Sequence, residues 1–217
     1  MPELKLIIGN KNYSSWSLRP WLLLRHLELP FEEQQIPLDL PGSGAHIRAE
    51  NPTGRVPALR HGDLLVWDSL AIGEYLCELA GKGLPAERAA RAIARSVCAE
   101  MHSGFRALRA QWPMNARALG RRTPMTAALR RDIERIDELW QGCRQRYGAG
   151  GPWLFGNYSL ADAMYAPVVL RFRTYGAEVS DVARGYQATV LADAPLQQWL
   201  AAAAAEPWTI SADETGL

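Results

Sequence analysis

The chain has 217 residues, 48% hydrophobic and 22% charged, a globular composition with length for one large domain or two small ones. A formal net charge of +1 offers no overall attraction to nucleic acid or to an anionic membrane surface. No apolar run reaches the roughly 18 residues of a bilayer span, and the N-terminus lacks the pattern of a secretory signal, so a cytoplasmic protein is expected. Cys77, Cys98 and Cys143 stand in helical patterns without a C-x-x-C pair, which reads as reduced thiols packed as small hydrophobes. His26, His46, His61 and His102 have no metal-ligand spacing, and no metal is expected.

The apolar run Leu4 to Ile8 reads as a buried strand. The polar loop after it carries three hydroxyls, Ser14, Ser15 and Ser17. A helix is expected over 18–27, with Ser17 as its N-cap and Pro20 in the first turn, where a missing N–H removes no intrahelical bond. Strand, hydroxyl-rich turn and helix start therefore meet at one point. Backbone N–H groups at a helix start favour an anion, and the hydroxyls there either cap the helix or donate to that anion.

Residues 31–38 read as a second strand, parallel to the first in a βαβ unit. Gly42 and Gly44 mark a loop, a short helix fits 46–50, and Asn51-Pro52-Thr53-Gly54 is a turn cluster. Apolar runs over 56–60 and 64–67 flank a Gly62-Asp63 turn and predict a β-hairpin. Asp68-Ser69 then opens an amphipathic helix. The order βαβ then ββα matches a thioredoxin-like arrangement. Pro57 reads either as a strand-start proline or as a cis proline, a state of only about 5–6% of X–Pro bonds in folded proteins.

Gly81-Lys82-Gly83-Leu84-Pro85 is a linker signal, and no strand pattern follows it. Ile93, Val97, Met101, Phe105, Leu108 and Trp112 predict one long amphipathic helix from Ala86 to Trp112, with Arg88, Arg91 and Arg95 on another face. A second helix is expected over 125–147. Ser159-Leu160-Ala161-Asp162 is a capping-box pattern, and the stretch 163–170 has no charge, so its helix belongs in a core, bent at Pro167. Two further helices are expected near 181–191 and 194–205, before a tail in which Trp208 packs.

These pieces resemble the cytosolic glutathione S-transferases over essentially the whole chain. Ser14-Ser15-Trp16-Ser17-Leu18-Arg19 resembles the Ser-Ser-Cys loop of the bacterial serine-type, zeta-like members. The segment from Asn51 to Leu59 is similar to the family's N-P-x-x-x-V-P-x-L, and Asp68-Ser69-Leu70-Ala71-Ile72 to its acidic-Ser-x-A-I helix start. Ser159 to Asp162 resembles the capping box of the family's buried C-terminal helix.

The resemblance implies an α/β thioredoxin-like glutathione-binding domain over 1–80, a linker over 81–86 and an all-α domain over 87–217 that contributes the electrophile pocket. It implies glutathione as co-substrate, with Ser14 as the hydroxyl that stabilises the thiolate and Ser15 as its rival. Val56 would pair its backbone with the cysteinyl part of glutathione, next to a cis Pro57. Asp68 would face the γ-glutamyl ammonium, and Ser69 with its helix start the carboxylate. Arg55, or more weakly His46, would reach the glycyl end. Trp16, Met101, Phe105 and Trp112 would shape the electrophile pocket, the last three being otherwise plain core. Trp16 stands where the zeta pattern has Cys, which counts against maleylacetoacetate isomerase activity. The implied function is detoxifying transfer of glutathione to a small hydrophobic electrophile. The alternatives are a glutathione-dependent isomerase and a non-catalytic binding relative. A homodimer is expected, with Arg88, Arg91 and Arg95 at its rim.

Overall fold

Alternate side chains of Leu4–Ile8 (β1) feed two separate apolar faces in the structure, a computed structural model that describes residues 3–216. Leu4, Leu6 and Ile8 join the main core, whereas Ile7 packs with Ile36, Ile47 and Ala58. β1 lies between β2 (Phe31–Gln35), which runs parallel to it, and β3 (Ala58–His61), which runs antiparallel. β4 (Leu64–Trp67) completes the order β2-β1-β3-β4. α1 (Ser15–Leu27) and α3 (Ser69–Ala80) pack on the main-core face, and α2 (Ser43–Glu50) supplies Ile47 to the other. This is the mixed sheet expected of a thioredoxin-like unit.

α1 begins three residues earlier than its apolar pattern. Its N-cap is Ser14, not Ser17, because Ser17 Oγ is engaged elsewhere: it accepts the Gly9 N–H at 3.1 Å and ties the end of β1 to the helix. Pro20 consequently lies in the second turn, where it leaves the Trp16 carbonyl without its helical donor. β2 stops at Gln35, ahead of Pro37, shorter than the strand expected to 38.

The long helix expected over 86–112 is two helices. α4 (Arg88–Ser103) stops at Gly104, and α5 (Arg106–Gln111) starts after Phe105, whose φ of +55° breaks the run. A Cβ at residue 104 would lie 2.7 Å from the Glu100 carbonyl oxygen, so this corner needs glycine. α6 (Ala127–Tyr147) is capped by Thr126. α7 (Leu160–Tyr175), α8 (Asp181–Leu191) and α9 (Ala194–Ala205) complete the helical part. Every residue of α7 except Arg173 is buried, as the uncharged run predicts. Gly73 lets α3 approach this helix, since a Cβ there would run into Leu160. The three cysteines are free and buried. Among the described residues no helix is long and apolar enough to cross a membrane.

The capping box of α7 forms in full. Asp162 Oδ2 accepts the Ser159 N–H and O–H, each at 2.8 Å, and Oδ1 accepts the Leu154 N–H at 3.0 Å and the Tyr186 O–H at 3.1 Å. Burial nevertheless pushes this carboxyl up from 3.8 to about 6. Between those values the folded state binds a proton that the unfolded chain has lost, so the contribution of Asp162 to stability falls as pH rises from about 4 to about 6. Asp162→Ala strands two buried N–H groups and is expected to cost about 2–4 kcal/mol in urea unfolding at neutral pH. In Asp162→Asn the stability slope across that pH window is expected to disappear, which the same titration repeated over pH measures.

Candidate active site

The loop between β1 and α1 is held from three sides. Asn10 closes it, its carbonyl accepting the Ser14 N–H at 2.8 Å while its Oδ1 accepts the Leu38 N–H at 2.7 Å. Glu206, just past α9, accepts the N–H groups of Lys11 at 2.6 Å and Asn12 at 3.0 Å. Tyr13 donates its O–H to Glu214 at 2.7 Å. So anchored, the loop presents Ser14, Ser15 and Trp16 at the head of α1.

The two serines are buried and their protons are placed differently. Ser14 donates its O–H to Ser17 Oγ at 2.7 Å and accepts the Ser17 N–H at 3.4 Å. Ser15 Oγ accepts from Arg171 Nη2 at 3.3 Å, and its own proton has no acceptor among the described residues. Neither serine walls the neighbouring cleft; Trp16 does.

That cleft holds about 510 Å³ and lies between the Asn51–Pro57 segment, the β4–α3 corner, α4 and Trp16. Arg55, Val56, Pro57, Asp68 and Ser69 all line it, so residues singled out by sequence from separate segments come together. The Asn51 side chain shapes the first wall, donating to the Arg55 carbonyl at 2.8 Å and accepting the Thr53 N–H at 3.2 Å. The Val56–Pro57 peptide is cis. Asp68 caps α3, its Oδ1 accepting the N–H groups of Leu70 at 2.8 Å and Ala71 at 3.3 Å. It does so at a φ of +75°, a backbone state that L side chains seldom adopt.

Met101, Phe105 and Trp112 do not reach the cleft; they are buried in the main core, because the apolar stripe of α4 and α5 turns inward. The next residue along α4, His102, lines the cleft instead, with Nε2 3.2 Å from Asp68 Oδ2. His46 lies outside, 3.4 Å from Gln34 Nε2. Sequence reasoning missed His102, Arg19 and Arg171. A signal existed for both arginines: each stands beside a run of apolar residues in a helix whose residues are mostly buried.

Arg19 is buried against the cleft wall, its Nη1 3.4 Å from Ser69 Oγ and its guanidinium 4.2 Å from the Trp16 ring centre. Burial, then repulsion from Arg171 and Arg109, pushes it down to about 9. Burial likewise pushes Arg171 down to about 10, with Arg109 adding to the effect. A helix N-terminus and buried cations together favour a bound anion at the head of α1.

A family model described as Glutathione S-transferase, N-terminal domain, matches residues 13–79, and one described as Glutathione S-transferase, C-terminal domain, matches residues 125–202. The probable glutathione S-transferase GSTF2 of Oryza sativa subsp. japonica is 46% identical over 50 residues, a stretch covering 21% of this chain and only 23% of that relative's length. A glutathione transferase homologue from Burkholderia gl BGR1, solved with bound glutathione, superposes with a TM-score of 0.71 at 24% identity, covering 94% of this chain and 100% of that one. A bacterial zeta-class maleylpyruvate isomerase gives 0.70 at 21% identity over 95% and 100%. At these identities the structural likenesses carry the fold.

Removing the Asp68 carboxylate tests the β4–α3 wall. Asp68→Ala is expected to lower stability by about 1 kcal/mol through loss of the α3 cap, and Asp68→Asn by less, because asparagine caps as well; thermal or urea unfolding distinguishes them.

Proposed function

The chain belongs to the glutathione S-transferase family, and on that premise we propose that it binds glutathione in this cleft and joins it through its sulfur to a small electrophile. The observation that carries the reading is the convergence of Val56–Pro57, Asp68–Ser69 and Trp16 of α1 on one cleft of tripeptide size. Val56 offers backbone groups to the cysteinyl unit, Asp68 its carboxylate to the γ-glutamyl ammonium, and Ser69 with the α3 N-terminus a site for the carboxylate. Arg55, also in the cleft lining, is assigned to the glycyl carboxylate.

A free thiol with a pKa of about 8.5 is only a few per cent ionised at pH 7. A hydroxyl donor and the positive end of α1 raise that fraction without any base. The thiolate then attacks the electrophilic carbon, forming the C–S bond as the leaving group departs or an unsaturated bond takes up the electron pair. Two observations favour Ser15 over Ser14 as the donor. The Ser14 proton is committed to Ser17, whereas Arg171 occupies the Ser15 oxygen and leaves the Ser15 proton unspent.

We also propose a homodimer. Trp67, Leu64 and Ile93 are 52%, 48% and 39% exposed, apolar area available to a second copy of the chain. Light scattering is expected to return twice the 24.1 kDa chain mass at micromolar concentration; a monomeric mass counts against it.

Alanine at each serine tests the donor. A hydrogen bond to a charged group contributes about 1.5–3 kcal/mol, so Ser15→Ala is expected to lower kcat roughly ten- to a hundredfold near neutral pH. The loss should shrink above the thiol's own pKa, with glutathione affinity changed much less. Ser14→Ala is expected instead to cost about 1 kcal/mol of stability through the α1 cap. The reverse pattern in pH–rate profiles assigns the thiolate to Ser14. No kinetic loss at either position leaves the backbone N–H groups and the helix dipole as its stabilisers.

A further inference from the structure

A balanced total charge hides an uneven distribution. Residues 101–131 carry seven arginines and no aspartate, glutamate or lysine, so the rest of the chain is net negative. Three of the seven are used inside the fold: Arg109 bonds the His102 carbonyl, Arg117 the Glu206 carbonyl, and Arg121 pairs with Glu214. The other four, Arg106, Arg122, Arg130 and Arg131, are exposed. The arginines that form ion pairs among the described residues are Arg60, Arg95, Arg121, Arg135 and Arg184, so these four stand without a carboxylate. Asp132, the first acid after the run, is spent on the Leu108 N–H at 2.9 Å.

The same segment presents apolar side chains to water. Leu119 is 66% exposed, the most of any large hydrophobic among the described residues, and Met125 is 44% exposed. Neither belongs to a loose loop. The Thr174 hydroxyl donates to the Ala118 carbonyl at 3.0 Å, and the Thr174 carbonyl accepts the Arg121 N–H at 3.0 Å, so Leu119 and Gly120 form the tip of a turn pinned on both sides. Gly120 has a φ of +68°, and a Cβ there would meet no other atom within 4 Å, so the tip projects. Trp112 Nε1 donates to Thr123 Oγ1 at 2.7 Å, and the Thr126 O–H to Gln111 Oε1 at 2.9 Å, which fastens the loop and the start of α6 to the end of α5. Arg106 on α5, Arg122 on the loop, and Arg130 and Arg131 in the first two turns of α6 therefore belong to the same face as Leu119 and Met125.

We propose that this face docks on an anionic phospholipid surface, with Leu119 and Met125 entering the headgroup layer and the four arginines bonding to lipid phosphates and carboxylates. A protein partner would need a slot shaped to a projecting leucine, whereas a lipid layer needs only that the leucine project. A face-to-face contact with a second copy of the chain would set arginines against arginines. An anionic layer meets both requirements, because it accepts the apolar tip and neutralises the guanidiniums around it. The proposal is independent of glutathione transfer, and it draws on a local field that the net charge of +1 conceals.

Co-sedimentation of the full chain with phosphatidylcholine vesicles, with and without phosphatidylserine, tests this. Binding is expected only where phosphatidylserine is present, and added salt should weaken it. Arg122→Gln and Arg130→Gln should each lower the partition coefficient about fivefold, the contribution of one arginine near such a surface. Leu119→Ser should lower it at least as much, because the leucine leaves water only on insertion. Arg88→Gln, at an exposed arginine of α4 outside this face, is the control and should leave binding unchanged. The substituted side chains are all exposed, and thermal unfolding of each variant checks that the fold is kept. No binding to the charged vesicles, equal binding to the neutral ones, or an equal loss in Arg88→Gln overturns the proposal. Wild-type binding by Leu119→Ser, with loss in both arginine variants, makes the face a site for an acidic polymer and rejects the lipid.

Discussion

Glu206 holds the loop on which the cleft depends. Its two oxygens take the backbone N–H groups of Lys11 and Asn12, and Arg117 bonds the Glu206 carbonyl, the Trp208 carbonyl and the Tyr13 hydroxyl. A buried N–H left without a partner costs about 1–3 kcal/mol, so an unanchored loop would not follow this path. Trp199 adds a bond from its Nε1 to the Lys11 carbonyl at 2.8 Å. The head of α1, with Ser14, Ser15 and Trp16, is therefore positioned by side chains that follow it by more than a hundred residues.

The same dependence governs the charges. α1 is wedged between the sheet with α3 on one side and α7 with α9 on the other, and this burial takes Arg19 out of water. Arg171 lies in a helix that is buried on nearly every side. Both guanidiniums stay protonated near neutral pH, even though burial pulls them down. Burying each guanidinium without a carboxylate partner costs stability, and a bound anion nearby offsets such a cost. The architecture thus stores positive potential at the head of α1.

Where sequence reasoning erred, long-range packing overruled a local pattern. The stripe from Ile93 to Trp112 has helical period throughout, yet Gly104 and Phe105 turn the chain between α4 and α5. Period alone carries no sign of a one-residue reversal in φ. The same stripe suggested a pocket wall, but apolar residues at helical spacing pack first against their own core, which is where Met101, Phe105 and Trp112 lie. Ser17 looked like the cap because it precedes an apolar run; the bond from Gly9 N–H claims its oxygen and moves the cap to Ser14.

The sequence by itself determined what neighbours along the chain can decide. The apolar run of β1, the caps at Asp68 and Ser159, the uncharged stretch 163–170 of α7 and the bounds of α8 and α9 all follow from residues a few positions apart. So did the motif at 51–59 and the Asp68-Ser69 pair, which meet in the cleft. Only the tertiary structure decided which hydroxyl proton is free, because that turns on Arg171, 156 residues beyond Ser15. It alone brought His102 to Asp68 and Arg109 to Trp16. Hydrogen bonds and charges act over a few ångströms, and the separation of two residues in sequence says nothing about that distance until the core has closed around them.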